Sequence, residues 1–239
     1  MDLPDELAHK ISEASILPDL TPDIDFTLTT TKKGNLKVKE TQVRHHSEKA
    51  KQWAWKYLYK ARRQYLKGNQ DWVEPLGRAL HYIQDYTVGK NKTVLRFFKV
   101  KSWDVHNTIE NSISKCAIPR GEILRASKIP VSANVLKAEL SKSTLKENAD
   151  AAMAEATYLT ALALRGVLEP TKPEGLEENF RKSLKRHLTI VGLPLFGTVI
   201  SYIFGRTDCS VALLLLSVLG HYLDYNFHQW DLERRWFYK

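Results

Sequence analysis

The stretch DWVEPLGRALHYIQDYT, residues 71–87, decides how the chain is read. Leu76, Ala79, Leu80 and Ile83 recur at helical spacing, with Asp71 at a capping position and Pro75 in the first turn. His81 and Asp85 stand four residues apart on this helix. His106 and Glu110 do the same in DVHNTIENSISK, residues 104–115, which also reads as helical. Residues i and i+4 of a helix share one face, one turn apart. Each pair therefore offers an imidazole nitrogen and a carboxylate oxygen to one point, which is half of a zinc site.

Upstream, SEKAKQWAWKYLYKARRQYL (47–66) carries a stripe of Ala50, Trp53, Ala54, Tyr57, Leu58 and Ala61. Ser47 is its expected N-cap, and Gly68 and Asn69 end it. His45 and His46 directly precede this helix. Residues 5–17 read as a short helix with His9 near its buried face. PDLTPDIDF (18–26), which holds Asp19, reads as a loop, and residues 27–43 as a loop or weak hairpin. Residues 88–102 form a basic, loop-like run with Lys90, Lys92, Arg96, Lys99 and Lys101, suited to attracting phosphate. Weaker amphipathic segments follow residue 122, and residues 148–168 form an alanine-rich helix. The candidate donors are His9, His45, His46, His81, His106, Asp19, Asp85 and Glu110, with no thiolate among them. Nitrogen and oxygen donors suit a catalytic, multi-zinc site that keeps positions open for water.

Composition narrows the classes. Of 239 residues 43% are hydrophobic and 26% charged, which excludes disorder along the whole chain. The only two cysteines, Cys116 and Cys209, exclude a disulfide framework and a cysteine-rich zinc ribbon. A net charge of +9 favours phosphate-bearing partners, either anionic lipid or nucleic acid. The N-terminus, MDLPDELAHKISEA, lacks the apolar core of a secretory signal, so the catalytic part is expected on the cytoplasmic side.

The C-terminal third reads differently. LEPTKPEG (168–175) is expected to be a linker, followed by 18 uncharged residues, LTIVGLPLFGTVISYIFG (188–205). A second apolar run spans about 209–225, after the turn GRTD. The first run approaches the ~20 residues of a bilayer span, so the two are expected to form a transmembrane helical hairpin. Lys182, Lys185 and Arg186 before it, and Arg234, Arg235 and Lys239 after it, place both ends in the cytoplasm by the positive-inside rule. Tyr202, Tyr222, Trp230, Trp236, Phe237 and Tyr238 read as an interfacial belt. His221, Asp224 and His228 read as interfacial anchors and His187 as a basic flank residue. The expected layout is a helical domain at 1–167, a linker and basic flank at 168–186, and the hairpin with its tail at 187–239.

LGRALHYIQD, the later HxxxE, the upstream His–His and the N-terminal HKISEA together resemble the zinc-dependent phospholipase C family, whose nuclease relatives share the fold. The resemblance covers roughly residues 5–165 and leaves the hairpin outside. It implies an all-α fold, a helical bundle around a multi-metal site of up to three zinc ions. It implies that His81 and Asp85 are central ligands, with Asp85 bridging two metals, and that His45 or His46 is the upstream ligand. His106 and Glu110 would hold another zinc, His9 would be the ligand from the first helix, and Asp19 the general base or water-orienting acid. Two departures stand out. The family's Pro-x-His after the central Asp is replaced by YTVGKNKTV, and the N-terminal tryptophan ligand of secreted members is missing. One or two zinc ions are therefore expected. The activity implied is zinc-dependent hydrolysis of a phosphodiester, on membrane phospholipids or related phosphoesters. A nuclease-like phosphodiesterase and a non-catalytic, metal-binding, membrane-anchored domain are the alternatives.

Overall fold

The computed structural model describes residues 3–30, 34–45, 47–68, 70–88, 111–113, 115–146 and 148–239. Among the described residues the protein is mostly helical, in keeping with the all-α expectation, with a small two-stranded sheet where a loop or weak hairpin was expected. The chain divides into two compact units, Met1–Val131 with Val135–Thr171, and Ser132–Asn134 with Lys172–Lys239.

The first unit is built around helix α4 (Val73–Thr87), against which α1 (Asp5–Ser15), α3 (Glu48–Lys67) and α7 (Ala149–Leu168) pack. The sequence stripe understates how buried α4 is. Pro75, Gly77, His81, Tyr82, Tyr86 and Thr87 join the apolar residues inside, as expected of a helix covered on several sides. Helix α3 turns Ala50, Ala54, Leu58 and Ala61 inward, and these mostly small side chains permit close approach. It stops at Gly68, whose φ of 77° closes the last turn with a bond from its N–H to the Tyr65 carbonyl. Ser47 does not cap α3 through its side chain; its hydroxyl donates to the Arg44 carbonyl instead. A short 3₁₀ turn, Gln70–Trp72, displaces Asp71 from the expected capping position of α4.

The segment expected as loop at 18–26 has regular structure at both ends. Leu17–Leu20 forms a single helical turn, α2, because Pro18 sits in the first turn, where its missing N–H costs nothing. Ile24–Thr30 (β1) pairs antiparallel with Leu36–Gln42 (β2), in register Ile24↔Gln42 to Thr30↔Leu36. The hairpin returns the chain to α3 through Val43, Arg44 and His45. Further on, Arg120–Ser127 (α5) and Ala133–Lys142 (α6) occupy the region of weaker amphipathic segments.

In the second unit, α8 (Leu176–Ile203) and α9 (Thr207–Leu223) lie antiparallel, and α10 (Tyr225–Phe237) packs on α8. Residues 176–186, expected as part of a linker and basic flank, are the first three turns of α8. They are helical because Leu176, Ser183 and His187 face inward at helical spacing while the charged residues between them face out. Two further expectations are corrected here. Trp236 is fully buried in this unit and takes no place in an interfacial belt. His187 is likewise buried, because Phe227 stacks on its ring and Asp224 accepts its Nδ1–H. Glu233 is buried as well. Its carboxylate accepts from the Ser132 hydroxyl (2.6 Å), the Ala133 N–H (3.1 Å) and the Asn134 N–H (2.8 Å), which ties Ser132–Asn134 to this unit.

The α8–α9 pair has an inverted burial pattern. Inside α9 the buried residues are Ser210 and Ser217, whose hydroxyls donate to the Thr198 and Val191 carbonyls of α8. Val211, Leu214, Leu215, Leu216, Val218 and Leu219 face outward. Gly220 is pressed onto Ile190, where a Cβ would come within 2.7 Å of Cγ2. Helix α8 is long and apolar enough to cross a membrane.

Candidate metal centre

Four side chains from three places in the first unit converge. His81 and Asp85 come from successive turns of α4, His45 from the segment after β2, and Asp19 from α2. His81 Nε2 lies 2.9 Å from His45 Nδ1. Asp85 Oδ2 lies 3.1 Å from His45 Nδ1 and 3.2 Å from His81 Nε2. Asp19 Oδ1 lies 3.6 Å from both nitrogens. A tetrahedral ion with bonds of about 2.0–2.1 Å sets its donor atoms about 3.3 Å apart. The observed separations bracket that value, so two imidazoles and two carboxylates of this kind can hold a metal ion.

Burial gives the centre a closed back and an open front. The His81 and His45 side chains are 9% and 17% exposed, Asp85 29% and Asp19 59%. Asp19 is also the most distant of the four from the ring nitrogens. His45, His81 and Asp85 therefore form the tighter set, with Asp19 on the solvent-facing side. The hydrogen bond to Asp85 raises the pKa of His45 above its ordinary value of 6.5, with the charges of Asp85, Asp19 and Asp23 adding to it and burial opposing it.

A ring of supports fixes the segment that carries Asp19. Asp23 accepts hydrogen bonds from the hydroxyls of Tyr57 and Tyr82, and from Arg78 at 3.5 Å. Arg78 also donates to the Thr21 carbonyl (3.2 Å) and the Thr21 hydroxyl (2.8 Å). Burial first, and Asp23 second, push both tyrosines well above the usual phenol range, so they remain donors at any working pH. The sequence reading missed these residues, yet a signal exists. Arg78, His81, Tyr82 and Asp85 follow i, i+3, i+4, i+7 spacing, a polar stripe on an otherwise buried helix.

Not every expected donor is here. His9 is absent from the convergent group and lies on the exposed face of α1, with Nε2 3.3 Å from Glu13. The reason is helical phase: Ile11 and Ala14 take the buried face, and two residues back from Ile11 is the opposite side. His46, His106 and Glu110, and the lysines and arginine of the basic run, lie outside the described residues.

Asp85 also lines an open cleft of about 770 Å³ in the same unit. Val88, Ile118, Ile123, Met153 and Leu164 give it a mostly apolar lining. No protein-family model, curated protein or solved structure matches this chain.

Proposed function

We propose that this protein is a membrane-anchored, zinc-dependent phosphodiester hydrolase that acts, in the manner of a phospholipase C, on membrane phospholipids or related phosphoesters. The observation that carries the reading is the convergence of His45, His81 and Asp85 with Asp19 at their open side. Nitrogen and oxygen donors without sulfur suit a catalytic zinc ion. Bound there, zinc would supply Lewis-acid polarisation of a phosphoryl oxygen and acidification of a water. The chain's own residues do the rest. His45, His81 and Asp85 hold the ion. Asp19, most exposed of the four, orients the attacking water and takes its proton. Arg78, Tyr57 and Tyr82, acting through Asp23 and Thr21, keep the Asp19 segment in place. The water oxygen bonds to phosphorus as one P–O ester bond breaks, and the departing oxygen takes the proton that Asp19 accepted, which leaves a phosphomonoester and an alcohol.

Two features favour a lipid substrate. The mostly apolar cleft that Asp85 helps to line suits an aliphatic group of a substrate whose phosphate lies at the centre. The α8–α9 pair turns its large apolar residues out and its serines in, the arrangement expected of helices in lipid. Its 17-residue second helix rises about 25 Å, slightly under the ~30 Å hydrocarbon thickness, a gap that local thinning accommodates. The basic flanks support a cytoplasmic position for both ends. The net charge of +9 favours a second reading, a nuclease-like phosphodiesterase.

The test uses the full chain in detergent micelles. Zinc content, hydrolysis of a generic phosphodiester, hydrolysis of phosphatidylcholine vesicles and hydrolysis of single-stranded DNA are measured together. The expected result is zinc-dependent cleavage of the generic and vesicle substrates, lost in His81→Ala and Asp85→Ala. In Asp19→Asn, kcat should fall about 10²–10⁴-fold with metal retained. Faster cleavage of DNA than of vesicles would select the nuclease reading. Bound zinc without any hydrolysis would leave a metal-binding domain only. Release of the full chain from membranes by carbonate would overturn the anchor.

A further inference from the structure

We infer that the second unit carries its own transition-metal site, formed by His187 Nε2 of α8 and His221 Nδ1 of α9. The two nitrogens face one another at 3.2 Å, again near the ~3.3 Å edge of a tetrahedral ion. The tautomer of His187 is fixed from behind. Its Nδ1 lies 3.1 Å from Asp224 Oδ2, and the Asp224 side chain is fully buried. The other oxygen of Asp224 accepts from the Arg186 guanidinium and from the Phe227 N–H at 3.3 Å. A carboxylate neutralised by arginine and capping a helix remains an acceptor, so Nδ1 of His187 carries a proton and Nε2 presents its lone pair to His221. Phe227 stacks on the His187 ring at 3.9 Å between centroids and holds it in that orientation. A carboxylate behind an imidazole whose other nitrogen faces a second imidazole is the usual support of a metal-bound histidine.

Two imidazoles with room for water select a borderline ion of the zinc, nickel or copper(II) kind over calcium or magnesium, which require oxygen donors. His221 lies on the exposed side of α9, so the remaining coordination positions are open to water. An ion there links two helices across 34 residues of chain, at the end of the apolar pair where α10 begins. Its effect is to clamp that end of the pair. This site shares no residue with the first centre and does not depend on the activity proposed for it.

The test is Co(II) binding to the full-length protein in detergent micelles, followed by visible absorption and zinc competition. The wild type is compared with His221→Ala, with a variant of the first centre (His81→Ala/Asp85→Ala), and with the two combined. The expected result is one equivalent lost in His221→Ala and retained in the first-centre variant, with no specific binding in the combination. Asp224→Asn should weaken this equivalent about 10–100-fold, the usual effect of removing the carboxylate behind a ligating histidine. His187→Ala removes a buried ring and invites misfolding, whereas His221→Ala removes an exposed one and is checked by its helical circular dichroism. Equal Co(II) stoichiometry and affinity in wild type and His221→Ala would overturn the site and leave the pair as an N–H···N hydrogen bond.

Discussion

Gly77 of α4 lies directly against Ala14 of α1: a Cβ on Gly77 would come within 2.4 Å of the Ala14 Cβ and 2.6 Å of its carbonyl carbon. The neighbour is partly backbone and cannot swing aside. One turn beyond Gly77 stands His81, and five residues beyond Ala14 stands Asp19. The notch at Gly77 therefore sets how closely the Asp19 segment approaches the imidazoles. Gly77→Ala should destabilise the fold by roughly 1–3 kcal/mol through overpacking. It should also weaken metal binding, although position 77 touches no donor atom. Thermal unfolding and zinc titration of the same variant check both parts.

Asp23 collects donors from Tyr57, Tyr82 and Arg78. Tyr82→Phe should cost about 2 kcal/mol, the range for a hydrogen bond to a charged acceptor. Asp23→Ala should cost more, since it takes the acceptor from two tyrosine hydroxyls at once and removes one of the partners of Arg78. Denaturant melts rank the two variants. Equal losses would show that Tyr82 alone makes the useful contact.

The raised pKa of His45 gives opposite pH dependences with and without metal. In the metal-free protein the protonated imidazole is held by Asp85. That stabilisation is fully present below the unfolded value near 6.5 and is lost as pH rises through the higher folded value. Metal needs the neutral ring, so affinity should fall as pH drops through the raised value, beginning above pH 6.5. Denaturation midpoints of metal-free wild type and His45→Gln should converge as pH rises. Zinc titrations across the same range should show the reverse slope.

Glu233→Ala should cost about 3 kcal/mol, because it leaves two backbone N–H groups and a serine hydroxyl without their buried acceptor. Glu233→Gln keeps an acceptor oxygen and should cost less. Hydrogen exchange at Ala133 and Asn134 should quicken in the alanine variant, which locates the loss.

Gly220→Leu should separate α8 from α9, since even a Cβ there meets Ile190 at 2.7 Å. The expected outcome is a lower unfolding temperature in detergent with carbonate-resistant membrane association retained. Apolar surface alone governs insertion, whereas close packing governs how the two helices pair.

Much of this was legible in the sequence for a local reason. The His81–Asp85 pair lies within one helix, so the 3.6-residue period alone brings it together. The apolar runs of α8 and α9 were legible because length and composition are enough to mark them. What was hidden depends on distant partners. Nothing near Asp19 or His45 reveals that the Gly77 notch and the β1–β2 hairpin deliver them to α4. His9 was misread because Leu7, Ala8, Ile11 and Ala14 define the buried face of a short helix only loosely. His187 looked like one more polar residue in LEENFRKSLKRH, and its burial depends on Asp224 and Phe227, some 40 residues onward.

Leu176–Ile203 is a single helix of 28 residues, about 42 Å from end to end. Its first turns belong with α10 and its last with α9, and no loop interrupts it between them. Residues 176–191 hold neither proline nor glycine and form its stiff part, whereas Pro194 removes one i→i−4 hydrogen bond inside the apolar end and is where the helix can bend. In a bilayer whose thickness imposed a new tilt, residues 195–203 would take up part of it by bending at Pro194, and the part carried by residues 188–193 would pass as torque to residues 176–187 and to α10 packed on them. Bilayer thickness would then act as a mechanical input to the packing around Trp236 and Glu233, and inserting a flexible glycine-serine segment near residue 187 would disconnect it.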